Sequence, residues 1–133
     1  MEKKKILIID DEVNLADLVK ARLEFNNFYV IPCYTSSRAL EIALRENPDL
    51  ILLDVMMPDP DGYEVCKSLK ADKATSTIPI ILFTAKEQQT QDLRDKCLEV
   101  GADDYILKPY GQAKLLAKIN KLIGTPKKGA GKK

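Results

Sequence analysis

Residues 5–12 read KILIIDDE, an apolar run from Ile6 to Ile9 that ends abruptly in Asp10, Asp11 and Glu12. Four apolar residues in a row suit a strand covered on both faces. Acids placed where such a strand meets a loop are crowded and partly desolvated. Like charges that close repel, so the site calls for a bound proton or a cation. Helix capping explains a lone acid equally well, with Asp10 or Asp11 as N-cap of the next helix and Glu12 in its first turn. A metal site requires further carboxylates, and the surrounding elements decide whether any arrive.

Five short apolar runs recur along the chain: ILII (6–9), YVIPC (29–33), LILL (50–53), IPIILF (78–83) and DYIL (104–107). Segments with helical spacing lie between them. Val13, Leu15, Leu18, Val19 and Leu23 form roughly one face after the first run. Ser36 or Ser37 can cap a helix bearing Ala39, Leu40, Ala43 and Leu44, which should stop at Asn47-Pro48. Tyr63, Val65, Cys66 and Leu69 follow a Pro/Asp/Gly turn, in which Pro58, Pro60, Asp61 and Gly62 build the entry to a helix and Asp59 and Asp61 are solvated acids. Leu93, Cys97, Leu98 and Val100 end at Gly101, and Leu115, Leu116, Ile119, Leu122 and Ile123 end at Gly124. Strand and helix thus alternate five times. That order predicts a doubly wound α/β domain with a parallel sheet, right-handed crossovers and helices on both faces.

In such a sheet, ligands bind outside the carboxyl ends of the strands. Strand 1 ends in Asp10-Asp11, strand 3 in Asp54, strand 4 in Thr84 and strand 5 in Lys108. Three carboxylates, a hydroxyl and an ammonium therefore converge on one edge. Hard oxygen donors with room for water suit Mg²⁺. A divalent ion relieves the repulsion and attracts phosphate, Lys108 neutralises a phosphoryl oxygen, and Thr84 donates to one. Asp54 at the centre can act as a nucleophile and become an acyl phosphate. Such a carboxylate is already ionised and needs no general base.

Composition removes other chemistries. The chain has 133 residues, 45% hydrophobic and 31% charged, which fits one domain with a core. It contains no His, so a His triad, His metal site or His phosphocarrier is excluded. Three cysteines (Cys33, Cys66, Cys97) without a CxxC suit a reducing compartment. The last seven residues, KKGAGKK, hold four of the 21 basic residues, leaving 17 against 20 acidic, a net of −3 for the remainder. A mildly acidic body gives no nucleic-acid surface. No apolar stretch approaches membrane-spanning length and no signal peptide is visible, so the expected location is the cytoplasm. The expected organisation is one domain over 4–124 and a Lys/Gly-rich flexible tail or truncated linker over 125–133.

The stretches IIDDE, LLDVMMPDPDG, LFTAK and GADDYILKP, in this order and at strand ends, resemble the receiver domain of two-component response regulators. The resemblance covers about Lys4 to Gly124. It implies a five-stranded (βα)5 flavodoxin-like fold of strand order 2-1-3-4-5. It implies Asp54 as phosphoacceptor, Asp11 as direct Mg²⁺ ligand with Asp10 assisting, and the Met56 backbone carbonyl completing the protein's share of the shell. Mn²⁺ would substitute for Mg²⁺. The phosphoryl group would meet Thr84, Lys108 and the Ala85 backbone N–H, and Lys108-Pro109 would be a cis peptide. Tyr110 would pack behind that proline, Gly111 would loosen the entry to the last helix, and Met56 and Lys86 would tune the lifetime of the phosphate.

The expected switch couples two residues. Phosphorylated Asp54 draws Thr84 inward, Tyr105 turns into the space left, and the surface of helix 4, strand 5 and helix 5 changes. The implied partners are a sensor histidine kinase or phosphotransfer protein upstream and a target protein or missing effector domain downstream. Homodimerisation on phosphorylation, and a stand-alone rather than an excised domain, stay open. The domain catalyses its own phosphorylation and dephosphorylation and is not otherwise an enzyme. Three rivals differ. A haloacid-dehalogenase-type phosphohydrolase needs a DxDx[TV] motif, but Met56 and Glu12 occupy the second-acid positions. A flavodoxin-like flavin binder needs a Ser/Thr/Gly loop where DDEVN stands. A degenerate interaction module would not need the full set of Asp10, Asp11, Asp54, Thr84 and Lys108.

Overall fold

The computed structural model describes residues 3–85, 90–108 and 111–124. Strands β1 (Lys5–Ile9), β2 (Tyr29–Cys33), β3 (Leu50–Asp54), β4 (Ile80–Ala85) and β5 (Asp104–Lys108) alternate with helices α1 (Val13–Phe25), α2 (Ala39–Glu46), α3 (Gly62–Ala71), α4 (Thr90–Val100) and α5 (Gln112–Ile123). All strand pairs are parallel, in the order β2-β1-β3-β4-β5. This is the doubly wound flavodoxin-like arrangement, with the chain reversing its direction of winding between β1 and β3.

Alternation along the strands divides the core into two layers. Leu7, Ile9, Ile51, Leu53, Ile80 and Leu82 pack with buried residues of α2, α3 and α4. Ile6, Ile8, Leu50, Leu52, Ile81 and Phe83 pack with α1 and α5. Both faces of β1 and β3 are covered, which explains their unbroken apolar runs.

Several local expectations are corrected. In α1 the buried residues are Ala16, Val19 and Leu23, while Val13 and Leu18 are 45% and 46% exposed. Leu18 points about 100° round the helix from Val19, and Val13 sits in the first turn. Neither Asp10 nor Asp11 caps α1: Glu12 is the N-cap residue, without a side-chain cap bond. In α2 Ile42 is buried and Leu44 exposed, and neither Ser36 nor Ser37 is the N-cap, because a 3-10 turn over Ser36–Arg38 intervenes. The helix does stop at Asn47, in the left-handed region just before Pro48. Leu98 of α4 is 81% exposed, outside the core. The end of α4 is as expected: Gly101 has φ +83, with its N–H on the Leu98 carbonyl and that of Ala102 on Cys97, a Schellman motif. β4 begins at Ile80, since Pro79 has no N–H for the ladder.

The start of α3 is more highly built than solvated turn acids would be. Asp61 accepts from the Glu64 N–H at 2.9 Å, and Glu64 accepts from the Asp61 N–H at 3.0 Å, a complete capping box. Gly62 then packs directly on the end of β3, where a Cβ would overlap the Asp54 carbonyl oxygen and approach Val55 Cα to 2.5 Å. These obstacles are backbone and cannot swing aside. Gly62→Ala is therefore expected to destabilise the fold by about 3 kcal/mol or more, at the upper end of overpacking costs. Urea unfolding monitored by circular dichroism would show it; a loss under 1 kcal/mol would mean that α3 is not held against β3 in this way.

Candidate metal and phosphoryl site

β1 delivers Asp10 to the carboxyl edge of the sheet. Its backbone N–H donates to the Cys33 carbonyl at 3.0 Å, extending the ladder one residue beyond the strand. The Asp10 side chain is buried, and its Oδ1 accepts from the Glu12 N–H at 2.9 Å. That turn, closed by an aspartate on the amide two residues ahead, replaces the expected cap. It leaves Asp11 exposed at the rim.

β3 delivers Asp54, which is 3% exposed. Its Oδ1 accepts from the Met56 N–H at 3.1 Å, and the next residue, Val55, donates to the Phe83 carbonyl at 2.9 Å. One carboxylate oxygen from each of Asp10, Asp11 and Asp54 lies within 4.8 Å of the others. Anionic oxygen donors this close, two of them withdrawn from water and the third reaching it, suit a hard divalent cation that keeps part of its hydration. The cluster can hold a metal.

Thr84 lies on β4, the strand next to β3, one residue beyond Phe83, the register partner of Asp54. It is fully buried, and its Oγ has no hydrogen-bond partner among the described residues. A buried hydroxyl without a partner is costly unless another group meets it. Ala85 and Lys108 pair in register at the end of the β4–β5 ladder, so the backbone of both reaches the same edge. The Lys108 side chain, Lys86, Pro109 with the expected cis bond, and Tyr110 lie outside the described residues. Gly111 is the N-cap residue of α5. Tyr105 is half-buried on β5, its hydroxyl 3.3 Å from Arg94 Nε on α4 and its ring 5.9 Å from Lys118 Nζ on α5.

The cysteines take no part at this edge as reactive groups. Burial pushes the Cys66 thiol up to about 12 and the Cys97 thiol up to about 11, and burial also raises Cys33. All three stay protonated at neutral pH, as thiols of the core.

The sequence model of the response regulator receiver domain matches residues 6–120. The chain belongs to this family. As a receiver domain it is 42% identical over 125 residues to a probable transcriptional regulator, ycf27, of Porphyridium aerugineum, covering 92% of this chain and 49% of that protein. It is 40% identical over 120 residues to the alkaline phosphatase synthesis transcriptional regulatory protein PhoP of Bacillus subtilis, covering 90% and 48%. The chain thus spans about half the length of these relatives. Among solved structures, the BeF3-activated receiver domain of Klebsiella pneumoniae RstA superposes with a TM-score of 0.82 at 34% identity, covering 90% of this chain and 98% of that one. The receiver domain of the Pseudomonas aeruginosa sensor histidine kinase PA1611, which carries a magnesium ion in its active-site cleft, gives 0.82 at 29% identity, covering 92% and 99%. The receiver domain is a signalling domain of two-component systems, and no described helix is long and apolar enough to cross a membrane.

The charge cluster makes its own prediction. Unit charges about 4 Å apart interact by roughly 1–4 kcal/mol between water and a partly screened surface. In metal-free receiver domain, Asp11→Asn should raise stability by about 1 kcal/mol, the exposed partner giving the low end of that range. Thermal melts in chelator would read it as a higher Tm. An unchanged or lowered Tm would show that the three carboxylates do not repel.

Proposed function

We propose that this receiver domain takes a phosphoryl group onto Asp54 from a phosphohistidine of a sensor kinase or phosphotransfer protein, with Mg²⁺ bound at Asp10 and Asp11. The observation that carries the proposal is the buried Asp54 carboxylate within 4.8 Å of the Asp10 and Asp11 oxygens. A buried carboxylate hemmed by two others attacks poorly while its charge is uncompensated. Asp10, Asp11, Asp54 and the Met56 carbonyl would hold Mg²⁺, or Mn²⁺ in its place, which would supply charge compensation for the carboxylates and the phosphoryl oxygens.

The chain's own groups do the rest. One Asp54 oxygen attacks phosphorus in line as the P–N bond of the donor breaks; the bonding pair stays on that nitrogen, the donor ring, protonated on its other nitrogen, leaves as neutral imidazole, and the phosphoryl group keeps its own charge in the acyl phosphate. The Met56 N–H on Asp54 Oδ1 keeps the carboxylate oriented. Lys108 and the Ala85 N–H neutralise and bind one face of the new acyl phosphate. The Thr84 hydroxyl, buried and unpartnered among the described residues, is suited to donate to it.

Drawing Thr84 toward the phosphate opens space behind β4, and Tyr105 turns into it and leaves Arg94. The α4–β5–α5 surface then differs between the two states, which is what a partner or effector domain reads. Relatives named as transcriptional regulators, about twice as long as this chain, favour an effector domain as that reader, with residues 4–124 as the receiver and 125–133 as the linker. The domain acts in the cytoplasm, without binding nucleic acid or membrane itself, and catalyses only its own phosphorylation and dephosphorylation.

Intact mass after incubation with acetyl phosphate tests the proposal. Wild type should gain one phosphoryl group, labile to hydroxylamine, only when Mg²⁺ is present, and Asp54→Asn should gain none. An adduct that survives Asp54→Asn, or none in wild type with either acetyl phosphate or a phosphorylated kinase, would overturn it.

A further inference from the structure

The segment that follows β2 is tied to three other elements. Cys33, at the end of β2, accepts from the Asp10 N–H at 3.0 Å. Tyr34 donates its hydroxyl to Asp17 Oδ1 of α1 at 2.6 Å. Ser36 donates its Oγ hydrogen to the Pro58 carbonyl at 3.1 Å, and Ser36 is only 8% exposed. The hydroxyl that the sequence suggests as a helix cap is instead used across the top of the sheet. It joins the loop after β2 to the loop after β3.

Pro58 ends a short stretch that the Met57 side chain, 5% exposed, packs into the core layer shared with α2, α3 and α4, and that local backbone bonds turn. Met56 donates to Asp54 Oδ1 at 3.1 Å, and Met57 donates to the Val55 carbonyl at 3.0 Å. The Met56 side chain, by contrast, is 60% exposed, so packing fixes the Met57 end of the stretch more firmly than Met56 itself. Beside the packing of Met57, Ser36 adds a hydrogen bond from a separate element, itself fastened to β1 through Cys33 and to α1 through Tyr34. Asp10 on one side of the cluster and the Met56–Pro58 stretch on the other are thereby held to one frame.

We propose that Ser36 is a positioning residue for the metal site: by holding the Pro58 carbonyl it fixes the Met56–Pro58 stretch, and with it the Met56 carbonyl as an oxygen donor to Mg²⁺. The inference rests on the function proposed above. Mg²⁺ demands near-ideal octahedral geometry, so a donor that wanders lowers affinity even when every ligand is present. Ordering the stretch in advance removes a cost that would otherwise fall on binding. Ser36 touches neither the metal nor the phosphoryl group, so its effect belongs to Mg²⁺ affinity and not to the chemical step.

The test is calorimetric titration of Mg²⁺ into wild type, Ser36→Ala, Ser36→Gly and Ser36→Thr, with acetyl phosphate labelling across a Mg²⁺ series. Loss of one neutral hydrogen bond should raise the Mg²⁺ Kd by roughly three- to ten-fold in the Ala and Gly variants. Thr, which keeps the hydroxyl, should return toward wild type. Half-saturating Mg²⁺ for labelling should move by the same factor, with the rate at saturating Mg²⁺ unchanged, and amide exchange at Met56 and Met57 should quicken. Ala and Gly variants that bind Mg²⁺ as wild type does, or a loss that Thr does not restore, would overturn the role of Ser36. A wild type that neither binds Mg²⁺ nor labels would instead overturn the underlying function.

Discussion

Three carboxylates within 4.8 Å of one another at the end of a parallel sheet cost free energy, and the rest of the site is organised around holding them there. Asp10 and Asp54 cannot relax away from each other. Asp10 directly follows β1 and Asp54 ends β3, strands buried on both faces and direct neighbours in the sheet. Each also accepts a backbone N–H two residues ahead, Glu12 and Met56, so the local turns are shaped by the same acids that repel. Asp11 alone reaches solvent. The arrangement is stable because the two apolar layers supply far more than the cluster takes away, and a cation held among the three carboxylates would reverse the sign of their interaction.

The opposite end of the sheet is built for rigidity. Lys70 Nζ donates to the Ser76 and Ile78 carbonyls and pairs with Asp103 at 3.1 Å, while Asp103 also accepts from the Ile80 N–H. Beneath β1, Lys5 Nζ donates to the Glu46 carbonyl and pairs with its carboxylate, while Asp49 accepts from the Lys5 backbone N–H. These ties satisfy strand-entry groups that have no ladder partner. Tyr105, the second residue of β5, sits next to this entry end and rests between Arg94 and Lys118.

Much of this was legible in the residues. The runs ILII and LILL suit strands covered on both sides, and once five strands alternate with helices the ends of β1 and β3 share an edge. Thr84 and the backbone of Lys108 fall on that edge for the same reason. What was not legible depended on contacts distant in sequence or on competition between local bonds. Asp10 could cap a helix or close a turn on Glu12, and only the placement of Glu12 at the N-cap decides it. Asp61 and Glu64 have the spacing of a capping box, a signal present but passed over beside the prolines. Ser36 looked like a cap and bonds to Pro58, 22 residues away, which no local pattern specifies. Val13, Leu18 and Leu98 are apolar residues left on the surface, and periodicity alone cannot separate them from the core.

The most direct test of the account is a crystal structure of the receiver domain with Mg²⁺ and beryllofluoride. The account predicts beryllium bonded to an Asp54 oxygen, with Mg²⁺ ligated by Asp11, Asp54 and the Met56 carbonyl and Asp10 beside it. Thr84 Oγ should lie against a fluoride, and Tyr105 should be turned inward from Arg94. A metal bound away from Asp10, Asp11 and Asp54 would contradict the central claim, and a Tyr105 rotamer unchanged by the adduct would contradict the switch that follows from it.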